Sequence, residues 1–139
     1  MNKALIIHHS KTGTTKKYGN EIAEYCLQNG IETKVVSIEE FNKKELDKVD
    51  YLFLGCWTHG HLIFNQHPDK NWVDFANQLP AITNQKIVLF TTYKVATGSM
   101  FRKMKEQLKC DSELIKLELK SRNGRLHESS VTLLSNLLK

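Results

Sequence analysis

The segment Ser10-Lys11-Thr12-Gly13-Thr14-Thr15 gathers hydroxyls, a lysine and a glycine directly after the apolar run Ala4-Leu5-Ile6-Ile7 and directly before a helical pattern. A turn placed there aims several backbone N–H groups at one point. The helix N-terminus adds partial positive charge and the hydroxyls add donors, a combination suited to phosphate oxygens. Gly13 lets the backbone come close to its ligand. The spacing is neither the Gly-x-x-x-x-Gly-Lys-Ser/Thr of nucleotide hydrolases nor the Gly-x-Gly-x-x-Gly of dinucleotide folds, so a monophosphate ester is expected rather than a triphosphate or pyrophosphate. The competing expectation is an ordinary turn in which Thr14 or Thr15 caps the helix and nothing binds. Other residues capable of chemistry are less organised. His59, His61 and His67 could bring two imidazoles to one metal, but neither Cys56 nor Asp69 completes a recognisable ligand set, and no metal site is expected. Cys26, Cys56 and Cys110 form no Cys-x-x-Cys pair and are expected as buried free thiols.

The elements that must position these residues follow from hydrophobic spacing. Ala4 to Ile7 reads as a strand, and Tyr18, Ile22, Tyr25 and Cys26 recur at helical spacing over 16–29, ended by Asn29-Gly30. Thr33 to Ile38 is β-branched and completes a βαβ unit. Residues 39–48 are charged, with Phe41 and Leu46 as anchors of a short exposed helix. Val49 to Cys56 is apolar at consecutive positions apart from Asp50, as in a parallel strand covered on both faces. A long His- and Asn-rich loop, 57–70, precedes a helix marked by Trp72, Val73, Phe75, Ala76 and Leu79. Ile87 to Phe90 supplies a fourth strand, and Met100, Phe101, Met104 and Leu108 the next helix. Leu114 to Leu119 alternates like an edge strand, and Val131, Leu134, Leu137 and Leu138 close the chain as a helix. Five strands alternating with helices predict an α/β doubly wound parallel sheet with helices on both faces.

The chain has 139 residues, 40% hydrophobic and 25% charged, which is one domain's worth over 1–139 and excludes disordered, collagen-like and coiled-coil architectures. Its apolar runs are far too short for a membrane span, and the N-terminal run stops at His8 without a small-residue cleavage site, so a cytoplasmic protein with no membrane partner is expected. The net charge of +5 is unevenly distributed: residues 86–126 hold 10 Lys or Arg against 4 Asp or Glu, net +6, leaving net −1 for the rest. Such a face could attract an acidic partner or simply be solvated. Nucleic acid is not expected, because the basic residues are not interleaved with aromatics. Oligomeric state is not addressed by the sequence.

The pattern Ser10-x-Thr12-Gly13-x-Thr15 after the first strand resembles the phosphate loop of the flavodoxin family, and the order of elements resembles that family over nearly the whole chain. The resemblance implies a five-stranded parallel sheet of order 2-1-3-4-5 and noncovalent FMN, its phosphate on residues 10–15. Open sheets of this kind bind ligands beyond the carboxyl ends of their strands, at the switch point between strands one and three. Gly55-Cys56-Trp57-Thr58-His59-Gly60 resembles the family's Gly-Cys-x-Thr-Trp-Gly, with His59 where the stacking Trp often stands and Trp57 two residues earlier. Either ring could cover the flavin. Phe90-Thr91-Thr92-Tyr93-Lys94, followed by Gly98-Ser99, resembles the second flavin loop, with Tyr93 as the flavin neighbour; Gly98 and Ser99 would equally cap the next helix.

By resemblance the protein is a one-electron carrier. The alternatives are an FMN-dependent reductase of an organic substrate, with loop 57–70 shaping its pocket, and a flavin-free binding module of the same fold. No catalytic residue is fixed, although His59 could pass a proton during flavin reduction. Receiver domains share the topology but need acidic residues where this chain has His8-His9 and Gly55-Cys56. One departure from the family is its charge. Flavodoxins are typically acidic around the flavin, whereas Lys94 here would stabilise an anionic reduced flavin, implying a less reducing cofactor, and the positive stretch 86–126 implies an acidic redox partner.

Overall fold

The computed structural model describes residues 2–61 and 64–139. Among the described residues, six strands and four α-helices follow one another as β1 (Lys3–His9), α1 (Thr14–Gln28), β2 (Glu32–Ser37), β3 (Tyr51–His61), β4 (Phe64–Pro68), α2 (Lys70–Gln78), β5 (Lys86–Thr92), α3 (Met100–Glu106), β6 (Ile115–Ser121) and α4 (Glu128–Leu138). Five strands pair in the order β2-β1-β3-β5-β6, every pairing parallel. Since β5 and β6 are the fourth and fifth strands of this sheet, the expected order 2-1-3-4-5 stands. β4 lies off this path.

Alternation along the central strands divides the core between the two faces. Leu5, Ile7, Leu52, Leu54, Ile87 and Leu89 pack with Trp72 and Ala76 of α2 and Met100 and Met104 of α3. Ala4, Ile6, Tyr51, Phe53, Val88 and Phe90 pack with Tyr18, Ile22 and Cys26 of α1 and Leu134 of α4. Consecutive burial of Ala4 to Ile7, Tyr51 to Leu54 and Ile87 to Phe90 reflects helices on both sides of the sheet. β6 is an edge, and its exposed and covered residues alternate accordingly.

Two expectations are corrected. The segment 57–70 is not a loop: β3 continues past the sheet to His61 and pairs antiparallel with β4, Thr58 opposite Pro68 and His59 opposite His67. Residues 62 and 63, within that expected loop, lie outside the described residues. The charged segment 39–48 forms a 3₁₀ turn over Lys43–Lys48, with Leu46 buried and Asn42 accepting the Lys44 N–H as its cap.

Candidate functional site

The ends of β1, β3 and β5 open on the same edge of the sheet, because parallel strands point their carboxyl ends together. Between β1 and α1, Gly13 takes φ +96°, a left-handed conformation that costs a residue with a Cβ about 1–2 kcal/mol. Neither Thr14 nor Thr15 caps α1; Gly13 occupies the cap position, and it has no side chain to give. The Ser10 hydroxyl instead accepts the N–H groups of Gly13 at 2.9 Å and Lys16 at 3.3 Å. With its acceptor capacity used inward, Ser10 Oγ has its own proton left to donate.

Hydroxyl pairs tie this loop to its neighbours. Thr15 Oγ1 lies 2.6 Å from Thr92 Oγ1, joining the first turn of α1 to the end of β5. Thr58 Oγ1 lies 2.7 Å from Thr91 Oγ1, and Thr91 donates to the Cys56 carbonyl at 2.6 Å, joining β5 to β3. Below them Phe90 wedges between α1 and the sheet: it meets Tyr18 edge-on, rings 5.8 Å apart, and fills the space left by Gly19 and Gly55. The glycines let α1 lie close over β3, which fixes where the N-terminus of α1 points.

A cavity of about 440 Å³ lies across this edge. Lys11, Thr12 and Thr14 line it from the first loop, Trp57, Thr58, His59 and Gly60 from β3, and Thr92, Tyr93 and Lys94 from the end of β5. Ten residues singled out from the sequence are therefore brought together. Trp57 and His59 both belong to the wall; their rings are 5.0 Å apart, and His59 in turn meets His67 edge-on at 4.6 Å across the hairpin. Lys11 Nζ sits 5.0 Å from the centre of the Trp57 ring. Tyr93 carries two cations, Arg122 at 5.5 Å and Lys120 at 5.9 Å.

The remaining six sequence candidates do not line the cavity. Ser10 and Gly13 lie in the first loop and shape it. Thr15, Cys56 and Thr91 are buried, the two threonines engaged in the hydroxyl pairs above. Burial pushes the Cys56 thiol well up, as it does Cys26, to about 11. Gly98 borders a separate groove between α3 and β6. Ser99 stands at the N-terminus of α3 without capping it and donates instead to the Gln66 carbonyl at 2.8 Å, holding the β3–β4 hairpin against α3. Among the described residues, no group of three or more His, Cys, Asp or Glu could hold a metal; the His61 side chain lies outside them.

Arg122 was not evident from sequence motifs. It lies in the turn after β6, where Ser121 Oγ accepts the Gly124 N–H and donates to the Arg125 carbonyl. A Cβ on Gly124 would stand 2.7 Å from the Thr14 carbonyl, so this turn nestles against the start of α1. The available signal was positional: Ser121-Arg122-Asn123-Gly124 is a turn sequence at the carboxyl end of a strand, on the edge where open sheets bind ligands.

A doubly wound parallel sheet with a ligand-sized cavity over its carboxyl edge, opening beside a helix N-terminus, defines the flavodoxin-like class of α/β protein. The chain belongs to the flavodoxin domain family, whose model matches residues 5–118. The solved flavodoxin of Megasphaera elsdenii, in its two-electron reduced form, superposes with a TM-score of 0.72 at 17% identity, over 97% of each chain. Oxidised flavodoxin 2 of Bacillus cereus does so with a TM-score of 0.68 at 21% identity, over 98% of this chain and 94% of its own. Rubredoxin oxygen:oxidoreductase of Desulfovibrio gigas has a TM-score of 0.68 at 15% identity, 99% of this chain matching 34% of that larger one. At these identities the likeness is one of fold. No curated protein matches the sequence. Among the described residues, no helix is long and apolar enough to cross a membrane.

Proposed function

We propose that the protein binds FMN noncovalently and acts as an electron carrier. The observation that carries this reading is the left-handed turn at Gly13, which opens the N-terminus of α1 beside a cavity walled by Trp57 and Tyr93. The donor set fits a phosphate monoester: the N–H groups of Thr14 and Thr15 in the first turn, which Ser10 does not take, the free Ser10 proton, and the hydroxyls of Thr12 and Thr14. The cavity, about 440 Å³, lies within the usual range for a small organic ligand, and its aromatic walls suit a flat ring. When bound, FMN supplies the one-electron chemistry. The chain binds the phosphate with its first loop, keeps water from the ring with Trp57 and Tyr93, and presents His59 as the imidazole of the wall able to hold or pass a proton. The family membership supports the same reading. Three free cysteines support a reducing, cytoplasmic setting.

Titrating flavin fluorescence with the flavin-free protein tests this. One FMN per chain is expected to bind at least about tenfold tighter than riboflavin, a difference of about 1.4 kcal/mol assigned to the phosphate. Gly13→Val, which cannot hold the turn without strain, is expected to shrink that difference more than it weakens riboflavin binding. Equal affinity for FMN and riboflavin, or no binding of either, defeats the proposal.

A further inference from the structure

We propose that the mouth of the cavity is a docking surface for an acidic protein, its contacts made by Lys94, Lys120 and Arg122 with Lys11 on the facing rim. The inference deepens the electron-carrier reading, for which it names the partner's chemistry, but docking itself does not require flavin. Four cations converge here from three parts of the fold: the β1–α1 loop, the β5–α3 loop and the end of β6 with its turn. All four are exposed. Among the described residues, no carboxylate lines the cavity. Elsewhere on the molecule some exposed cations have a carboxylate at hand: Lys3 with Glu32, Lys34 with Glu45, Arg102 with Glu106, and Lys105 with Glu118. Among the described residues none of the four at the mouth has such a partner. They rest over aromatic faces at Trp57 and Tyr93 instead, or project into solvent as Lys94 does.

Four like charges around one opening repel each other, and the free energy so stored is released by an anion that covers them. A phosphate at the N-terminus of α1 meets main-chain donors and hydroxyls, and can engage Lys11, but the cations on the Tyr93 side are left over. Lys120 also borders the adjoining groove between α3 and β6, whose Arg102 and Lys105 are paired with Glu106 and Glu118, so the unpaired charge stays at the mouth. Exposed cations spread around an opening, in a stretch of net charge +6, match an acidic protein face better than a small anion that would be swallowed by the cavity.

The test measures complex formation by calorimetry with soluble cytochrome b5 as an acidic probe and cytochrome c as a basic probe of similar size. It uses both the flavin-free and the FMN-loaded protein. Cytochrome b5 is expected to bind at about 20 mM NaCl and to lose at least about tenfold in affinity by about 200 mM, with cytochrome c not binding. The variant Lys94→Gln/Lys120→Gln/Arg122→Gln is expected to weaken cytochrome b5 by about tenfold or more. Removing equal charge from the opposite edge, with Lys48→Gln/Lys86→Gln/Lys139→Gln, should change it by less than about twofold. If the first variant is not folded by circular dichroism, the exposed pair Lys94→Gln/Lys120→Gln replaces it, with a loss of several-fold expected. Absence of a cytochrome b5 complex at low salt, equal weakening by both triple variants, or tighter binding of a duplex of about 20 base pairs than of cytochrome b5 overturns the proposal. Failure of FMN to bind would end the electron-carrier reading, while the flavin-free titration would still decide the docking surface.

Discussion

His8 ends the buried part of β1, 5% exposed, with Nδ1 shut off from solvent and without a hydrogen-bond partner among the described residues. Burial holds its imidazole below the ordinary value, and Lys16 pushes in the same direction, against smaller opposing effects of Glu40 and Glu39, with His9 adding the least. The folded chain therefore prefers His8 neutral. In the unfolded chain the same group takes a proton near its ordinary pKa of 6.5, so the unfolded state binds more protons as pH falls past that value. Stability from this residue is complete above pH 6.5 and declines as pH drops below it toward the lowered folded value. Urea unfolding followed from about pH 7.5 down to about pH 5.5 is expected to show this loss, and His8→Gln to flatten it whatever the variant does to stability at the upper pH. An identical slope in the variant would assign the loss to other groups.

At the scale of elements, the approach of α1 to the sheet rests on a glycine in β3. A Cβ built on Gly55 would stand 2.1 Å from the Phe90 ring, which itself is fully buried against Tyr18. Gly55→Ala is expected to destabilise the fold by about 1–3 kcal/mol, the usual cost of overpacking a tight core. Because the clash is with one side chain, Phe90→Leu in the same chain should recover part of the loss. Urea midpoints of the two single variants and the double variant check this, and strict additivity would show that Phe90 is not the group that yields. Gly55 was legible in the sequence only as part of a loop motif, since nothing local shows which ring will fill the space above a glycine. The central strands were legible for the opposite reason: a run such as Tyr51 to Leu54, apolar at every position, has few uses other than a strand covered twice. The β3–β4 hairpin escaped notice because 58–68 lacks hydrophobic alternation and includes Pro68. Its pairing is held partly by contacts from distant chain, such as Ser99 to the Gln66 carbonyl. The cavity was legible where a residue came shortly after an apolar run, as Thr12, Trp57 and Tyr93 do. It was not legible at Arg122, whose turn reaches the site by packing Gly124 on the start of α1.

Over the whole molecule, charge is segregated along the chain and the fold carries that segregation to one edge of the sheet. Lys94 and Arg122 line the cavity itself, and Lys120 stands over Tyr93 beside it. A bound FMN gains negative charge as it is reduced, and cations nearby stabilise the more negative form; the same cations would raise its reduction potential relative to an acidic surrounding. Exposure limits the effect, because solvent and salt screen these side chains. Lys94→Gln is therefore expected to lower the more negative one-electron potential of the bound flavin by only about 10–40 mV at low ionic strength. Arg122→Gln should act in the same direction, and both shifts should shrink as salt is added. Redox titration of the FMN-loaded variants beside the parent reads this directly. Unchanged potentials on removing either cation would mean that the charged edge does not act on the ring. Shifts that persist undiminished at high salt would place the active charge inside the cavity rather than at its mouth, in contact with the ring itself.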